Sequence, residues 1–248
     1  MKRILATTAA ALSLIGVTAT SSAPAAAAAP VEASPATRTV ITTDFTVDPS
    51  GDPDDAYDLV AAKSMGILRI VLDKPKPASI VALQKLGLYA VTPETIATAD
   101  AVVVLGSPSN AATYYRAGQR VVLFAGDYTG QPEYNQQLDP AAYDYLRAQR
   151  NTYWVPCFQG GLWAKGPNAS YVQTTDDFLT NGTPARAWLQ AAFPDRWGVR
   201  NLWAGPLIQF AWLDSWGGNG FDASRTFHGG ADFVSDMTGG TRWLVANS

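Results

Sequence analysis

Apolar residues fall in short runs along the first two thirds of the chain, with helically spaced stretches between them. Residues 39–43 (TVITT) and 68–72 (LRIVL) are apolar or β-branched over five positions each, which predicts strands. Between them, residues 55–63 (DAYDLVAAK) predict a helix, and residues 79–88 predict a second one. Residues 100–105 (DAVVVL) and 120–125 (RVVLFA) are near-continuous apolar strands, the kind buried on both faces of a parallel sheet. Residues 106–110 (GSPSN) break the first of these, and residues 111–117 return to helical spacing. A helix over 140–150 and a strand over 153–157 follow. Strands alternating with helices predict an α/β domain over residues 39–248, with a mostly parallel sheet covered by helices on both faces. Beyond Phe158 the pattern weakens. Residues 185–192 predict a helix and 207–213 an apolar helix or strand, while 216–248 are Gly-rich and show no clear period.

The N-terminus has a different pattern. Met1-Lys2-Arg3 is basic, residues 4–17 are apolar, and residues 19–29 are Ala, Ser, Thr and Pro. Those are the three regions of a secretory signal peptide, expected over residues 1–29, with a flexible segment over 30–38. The apolar run is too short for a comfortable membrane span. The remaining roughly 220 residues suffice for one well-buried domain. The formal charge is −3 and falls further once Lys2 and Arg3 are removed. With no basic patch, binding to nucleic acid or to an anionic membrane is not expected. Cys157 stands alone, so an internal disulfide is excluded, and a buried structural thiol is the expectation.

Charge changes the picture at one place. Asp44, Asp48, Asp52, Asp54 and Asp55 lie within twelve residues, where the first strand ends and the first helix begins. In open α/β sheets that edge binds ligands. Carboxylates this close must be protonated, solvated or neutralised by a cation. An oxygen-only donor set suits a hard ion, and Ca²⁺ tolerates irregular carboxylate cages better than Mg²⁺ does. An EF-hand does not fit. Counting from Asp48, the sixth loop position is Pro53 instead of Gly, and the twelfth is Leu59 instead of Glu.

Three motifs, in order, resemble the nucleoside hydrolase family across roughly residues 40–156. They are Thr43-Asp44 leading to Asp52-Pro53-Asp54-Asp55-Ala56, then Leu105-Gly106-Ser107-Pro108-Ser109-Asn110, then Glu133-Tyr134-Asn135 followed by Asp139-Pro140-Ala141-Ala142. The resemblance implies a Rossmann-like fold, a Ca²⁺ cofactor and hydrolysis of the N-glycosidic bond of nucleosides or related ribosides. It implies that Asp44 binds Ca²⁺ and takes a proton from the attacking water, with Asp48 as the alternative. It implies Asp55 and the Leu105 carbonyl as further Ca²⁺ ligands, and Asp54, Asn110, Glu133 and Asn135 as substrate-binding residues. The family often forms dimers or tetramers, which leaves a homo-oligomer open.

The chain also departs from the family. The stretch between Asp55 and Asn110 is short, and a C-terminal His-Asp-Pro-x-Ala motif is absent. The nearest counterpart, Gly220-Phe221-Asp222-Ala223-Ser224, makes Asp222 the expected last Ca²⁺ ligand, with Asp214 and Asp232 as alternatives. His228, the single histidine, is either a general acid for the leaving base or a loop histidine. Most of the eight tryptophans stand in apolar contexts and are expected in the core. The shortened middle supports a second function class: a secreted nucleoside- or sugar-binding protein that keeps the Ca²⁺ site without catalysis.

Overall fold

Strand β1 (Thr39–Thr43) is flanked on one side by β2 (Arg69–Leu72) and on the other by β4 (Ala101–Val104). β3 (Tyr89–Ala90) extends the sheet beyond β2, and β5 (Arg120–Phe124) and β6 (Thr152–Val155) extend it beyond β4. All five pairings are parallel. The order β3-β2-β1-β4-β5-β6 is that of a doubly wound sheet, which reverses direction between β1 and β4. This computed structural model describes residues 38–47, 54–127, 132–156, 173–174, 184–192, 200–201 and 222–226, all within the unit Ala33–Ser248. A separate antiparallel pair, β7 (Gln173–Thr174) and β8 (Arg200–Asn201), lies outside the main sheet.

Both faces of the sheet's inner strands are buried, and successive residues of a strand point to opposite sides. Ile41, Ile70, Val103 and Val122 face one core with Leu59, Leu83, Trp188 and Leu189. Those last four come from α1 (Asp54–Ser64), α2 (Pro77–Leu86) and α6 (Pro184–Ala192). Val40, Val71, Val102, Val104 and Val121 face the other core with Ile96, Ala111, Tyr143 and Leu146. These come from a 3₁₀ helix (Pro93–Thr98), α3 (Ser109–Thr113) and α5 (Pro140–Arg147). The mostly parallel sheet covered on both faces is therefore what the described residues form. No described helix is long and apolar enough to cross a membrane.

Local chemistry sets the element ends. Pro77 starts α2 earlier than apolar spacing predicts, because a first-turn proline gives up an amide that has no helical partner. Gly87, at φ 84°, ends that helix in the left-handed conformation, and Leu88 N–H donates back to the Leu83 carbonyl. The helix expected over 111–117 is the shorter α3, which begins at Ser109 and stops before Tyr114. The predicted segment 207–213 and Cys157 lie outside the described residues.

Candidate functional site

The backbone ladder continues one residue past three adjacent strands. Leu105 N–H donates to the Thr42 carbonyl, and Asp73 N–H donates to the Thr43 carbonyl. This holds Asp44, Asp73 and Gly106 side by side at the C-terminal edge, next to the point where the strand order reverses. The approach is close. A β-carbon on Gly106 would stand 2.6 Å from the Asp44 backbone nitrogen and 2.6 Å from Asp73 Oδ2. Only glycine lets these three chain segments meet without displacement.

A cleft of about 310 Å³ opens above this edge, lined by Asp44, Asp73, Lys74, Ser107, Ser109, Asn110, Tyr134 and Leu138. Its size is at the lower end for small-molecule sites. The expected residues Asp44 and Asn110, taken from two separate motifs, share this cleft. Asp55 is 5% exposed at the start of α1 and accepts a hydrogen bond from the Thr43 hydroxyl, which places it beside the residue before Asp44. Leu105 is buried next to Gly106, and its carbonyl accepts from Asn135 Nδ2 at 2.9 Å.

Asp73 is the residue that sequence reasoning missed. Its Oδ2 accepts the Ser107 backbone N–H at 2.8 Å, and its Oδ1 accepts Asn110 Nδ2 at 3.0 Å. Burial pushes its carboxyl up to about 6, an effect that nearby Asp44 adds to and that the bonds from Ser107 and Asn110 oppose. The available signal was positional. Like Asp44, Asp73 directly follows a buried parallel strand, and strand ends carry ligand sites.

Three expected site residues make contacts within the chain. Glu133, expected on substrate, is 6% exposed and caps the short helix α4 (Tyr134–Leu138). Its carboxylate accepts from the backbone N–H groups of Gly126, Asn135 and Gln136. Asn135, also expected on substrate, spends its amide N–H₂ on the Leu105 and Phe124 carbonyls. Both side chains fasten α4 to the strand ends, so a capping role accounts for them. Asp222, expected as the last Ca²⁺ ligand, lies beyond β6. There Thr226 bridges Trp154 in parallel, four strand spacings or about 19 Å from β1. The Asp222 carboxylate is used within its own turn, accepting from Ser224 and Thr226.

Comparison with protein-family models, with curated proteins and with solved structures gave no match. Asp48, Asp214, His228 and Asp232 lie outside the described residues, as does the side chain of Asp54. Among the described residues, no group of three or more His, Cys, Asp or Glu side chains comes together as a metal cage. Asp44 and Asp55 offer carboxylate oxygens and Leu105 a carbonyl, a donor type that suits a hard divalent cation.

Asp139 ties the start of α3 to α5. Its Oδ2 accepts from the Ser109 hydroxyl at 2.7 Å and its Oδ1 from Ala142 N–H, which caps α5. The Ser109 bond is the main reason its carboxyl lies below the ordinary aspartate range.

Proposed function

We propose that this chain is an exported, Ca²⁺-dependent N-ribohydrolase that splits nucleosides or related ribosides into base and ribose. The observation that carries the reading is the cleft shared by Asp44 and Asn110 at the strand-order reversal, with Asp55 tethered to Thr43 beside it. Asp44, Asp55 and the Leu105 carbonyl would hold the ion, all through oxygen. When bound, Ca²⁺ supplies a Lewis acid that lowers the pKa of water and favours a sugar diol. Asp44, or Asp48, takes the proton from the attacking water. Asn110 hydrogen-bonds a sugar hydroxyl and holds the ring over the edge. The negative charge of Asp44 faces the positive charge that develops on the sugar ring in an oxocarbenium-like transition state. The test is ribose release from a nucleoside panel, with added Ca²⁺ and with chelator. Failure of folded, Ca²⁺-loaded protein to cleave any riboside sinks the proposal.

One observation favours a second reading, a secreted binder of nucleosides or sugars that keeps the cleft without catalysis. Glu133 and Asn135 are committed to the scaffold, which leaves fewer groups to grip ribose in a strained geometry. Calorimetry with ribose and nucleosides separates the two. Binding without turnover supports the binder, and turnover rejects it.

A further inference from the structure

We infer that Asp73 is a positioning residue that sets which way round the Asn110 amide sits, so that Asn110 offers its carbonyl oxygen to a ligand hydroxyl in the cleft. The ligand class rests on the riboside reading above; the orienting role rests on contacts within the chain. Asn110 is ambivalent by chemistry, since one end of its amide donates and the other accepts. An ionised carboxylate only accepts. Asp73 Oδ1 therefore demands the N–H₂ end of Asn110, and that bond is present at 3.0 Å. The amide oxygen is then turned away from Asp73, and Asn110 itself lines the cleft.

Asp73 is well placed to impose this choice. Its other oxygen is pinned by the Ser107 backbone N–H, and its own N–H is pinned to the Thr43 carbonyl. Gly106 leaves no slack, because the carboxylate already fills the space a β-carbon would need. The Ser107 bond to the carboxylate and the backbone bond to Thr43, from two strand ends, thus fix Asp73 before any ligand arrives. Pre-orientation of this kind lowers the ordering cost of binding.

Asp73→Asn is the informative variant. Asn at position 73 keeps the size and one acceptor, which can retain the Ser107 N–H. Its N–H₂ would then face Asn110, whose amide must rotate to present oxygen inward and nitrogen to the cleft. The Asn110 side-chain amide signals, followed by ¹⁵N NMR, should move in Asp73→Asn with the backbone spectrum of the sheet retained. With inosine as the probe, KM should rise about tenfold, equivalent to 1.4 kcal/mol, while kcat falls by no more than roughly twofold, the pattern for a lost uniform binding contact. In an Asn110→Ala background, Asp73→Asn should change KM no further.

Unmoved Asn110 amide signals would overturn the inference. So would a KM effect that persists undiminished without Asn110, or a loss borne mainly by kcat. If the wild type cleaves no riboside, the proposed function falls, and the amide signals alone still decide whether Asp73 orients Asn110.

Discussion

At the scale of single residues, the edge is built from one missing side chain and one displaced equilibrium. Gly106→Ala should destabilise the protein by about 1–3 kcal/mol, the usual cost of forcing atoms into a filled space, because its β-carbon meets the Asp44 backbone and the Asp73 carboxylate. Urea denaturation of the variant beside wild type checks this, and an unchanged midpoint would show that the three segments can separate freely. Asp73 makes stability depend on pH. Its folded value of about 6 exceeds the ordinary 3.8, so the folded state binds the proton more tightly than the unfolded chain. The resulting stability is fully present below pH 3.8 and is lost as pH rises through about 6. A shift of that size corresponds to about 3 kcal/mol as an order of magnitude. Asp73→Asn removes the titration, so its stability relative to wild type should improve by that order between pH 4 and pH 7, measured as paired unfolding curves. A difference that stays flat with pH would contradict the burial of this carboxyl.

At the scale of elements, α4 is a short helix with exposed Tyr134 and Leu138 and no buried residue of its own. Five residues cannot sustain a helix by propensity alone. Its position depends on Glu133 at one end and on Asn135 reaching the Leu105 and Phe124 carbonyls. Asn135→Ala should therefore cost about 1–3 kcal/mol, the penalty for removing a partner from buried polar groups, and calorimetric melting would show it. A Tm unchanged by the substitution would return Asn135 to the ligand. The motif Glu133-x-Asn135 was visible in the sequence, yet its role was not. A carboxylate and an amide suit ribose hydroxyls and helix-end N–H groups equally well, and only the fold shows which is within reach. The helix α6 makes the same point for the core. Trp188 stacks on Phe45 with centroids 5.9 Å apart and donates its indole N–H to the Ala82 carbonyl, as its apolar context suggests.

At the scale of the whole molecule, the two halves of the parallel sheet meet at β1 and β4, and the cleft lies where their loops part. If Ca²⁺ is held at this edge, it should raise the Tm of the wild type by mass action. Asp55→Ala should abolish that rise, whereas Asp222→Ala should leave it intact, since its carboxylate serves a turn outside β6. Thermal scans with and without Ca²⁺ decide between them, and equal loss in both variants would bring Asp222 back to the site. The strands and most helices were legible in the sequence, because burial imposes apolar runs and periods that the chain itself carries. The aspartate cluster and the strand-end position of Asp44 were legible too, since the cluster directly follows an apolar run in the chain. What pairs with what was not legible. The order β3-β2-β1-β4-β5-β6 puts Asp73 beside Asp44 across thirty residues of chain and sends Asp222 to the opposite flank. Hydrogen bonds between strands carry no sequence code for which neighbour they choose, so proximity at the edge is decided by the tertiary fold alone.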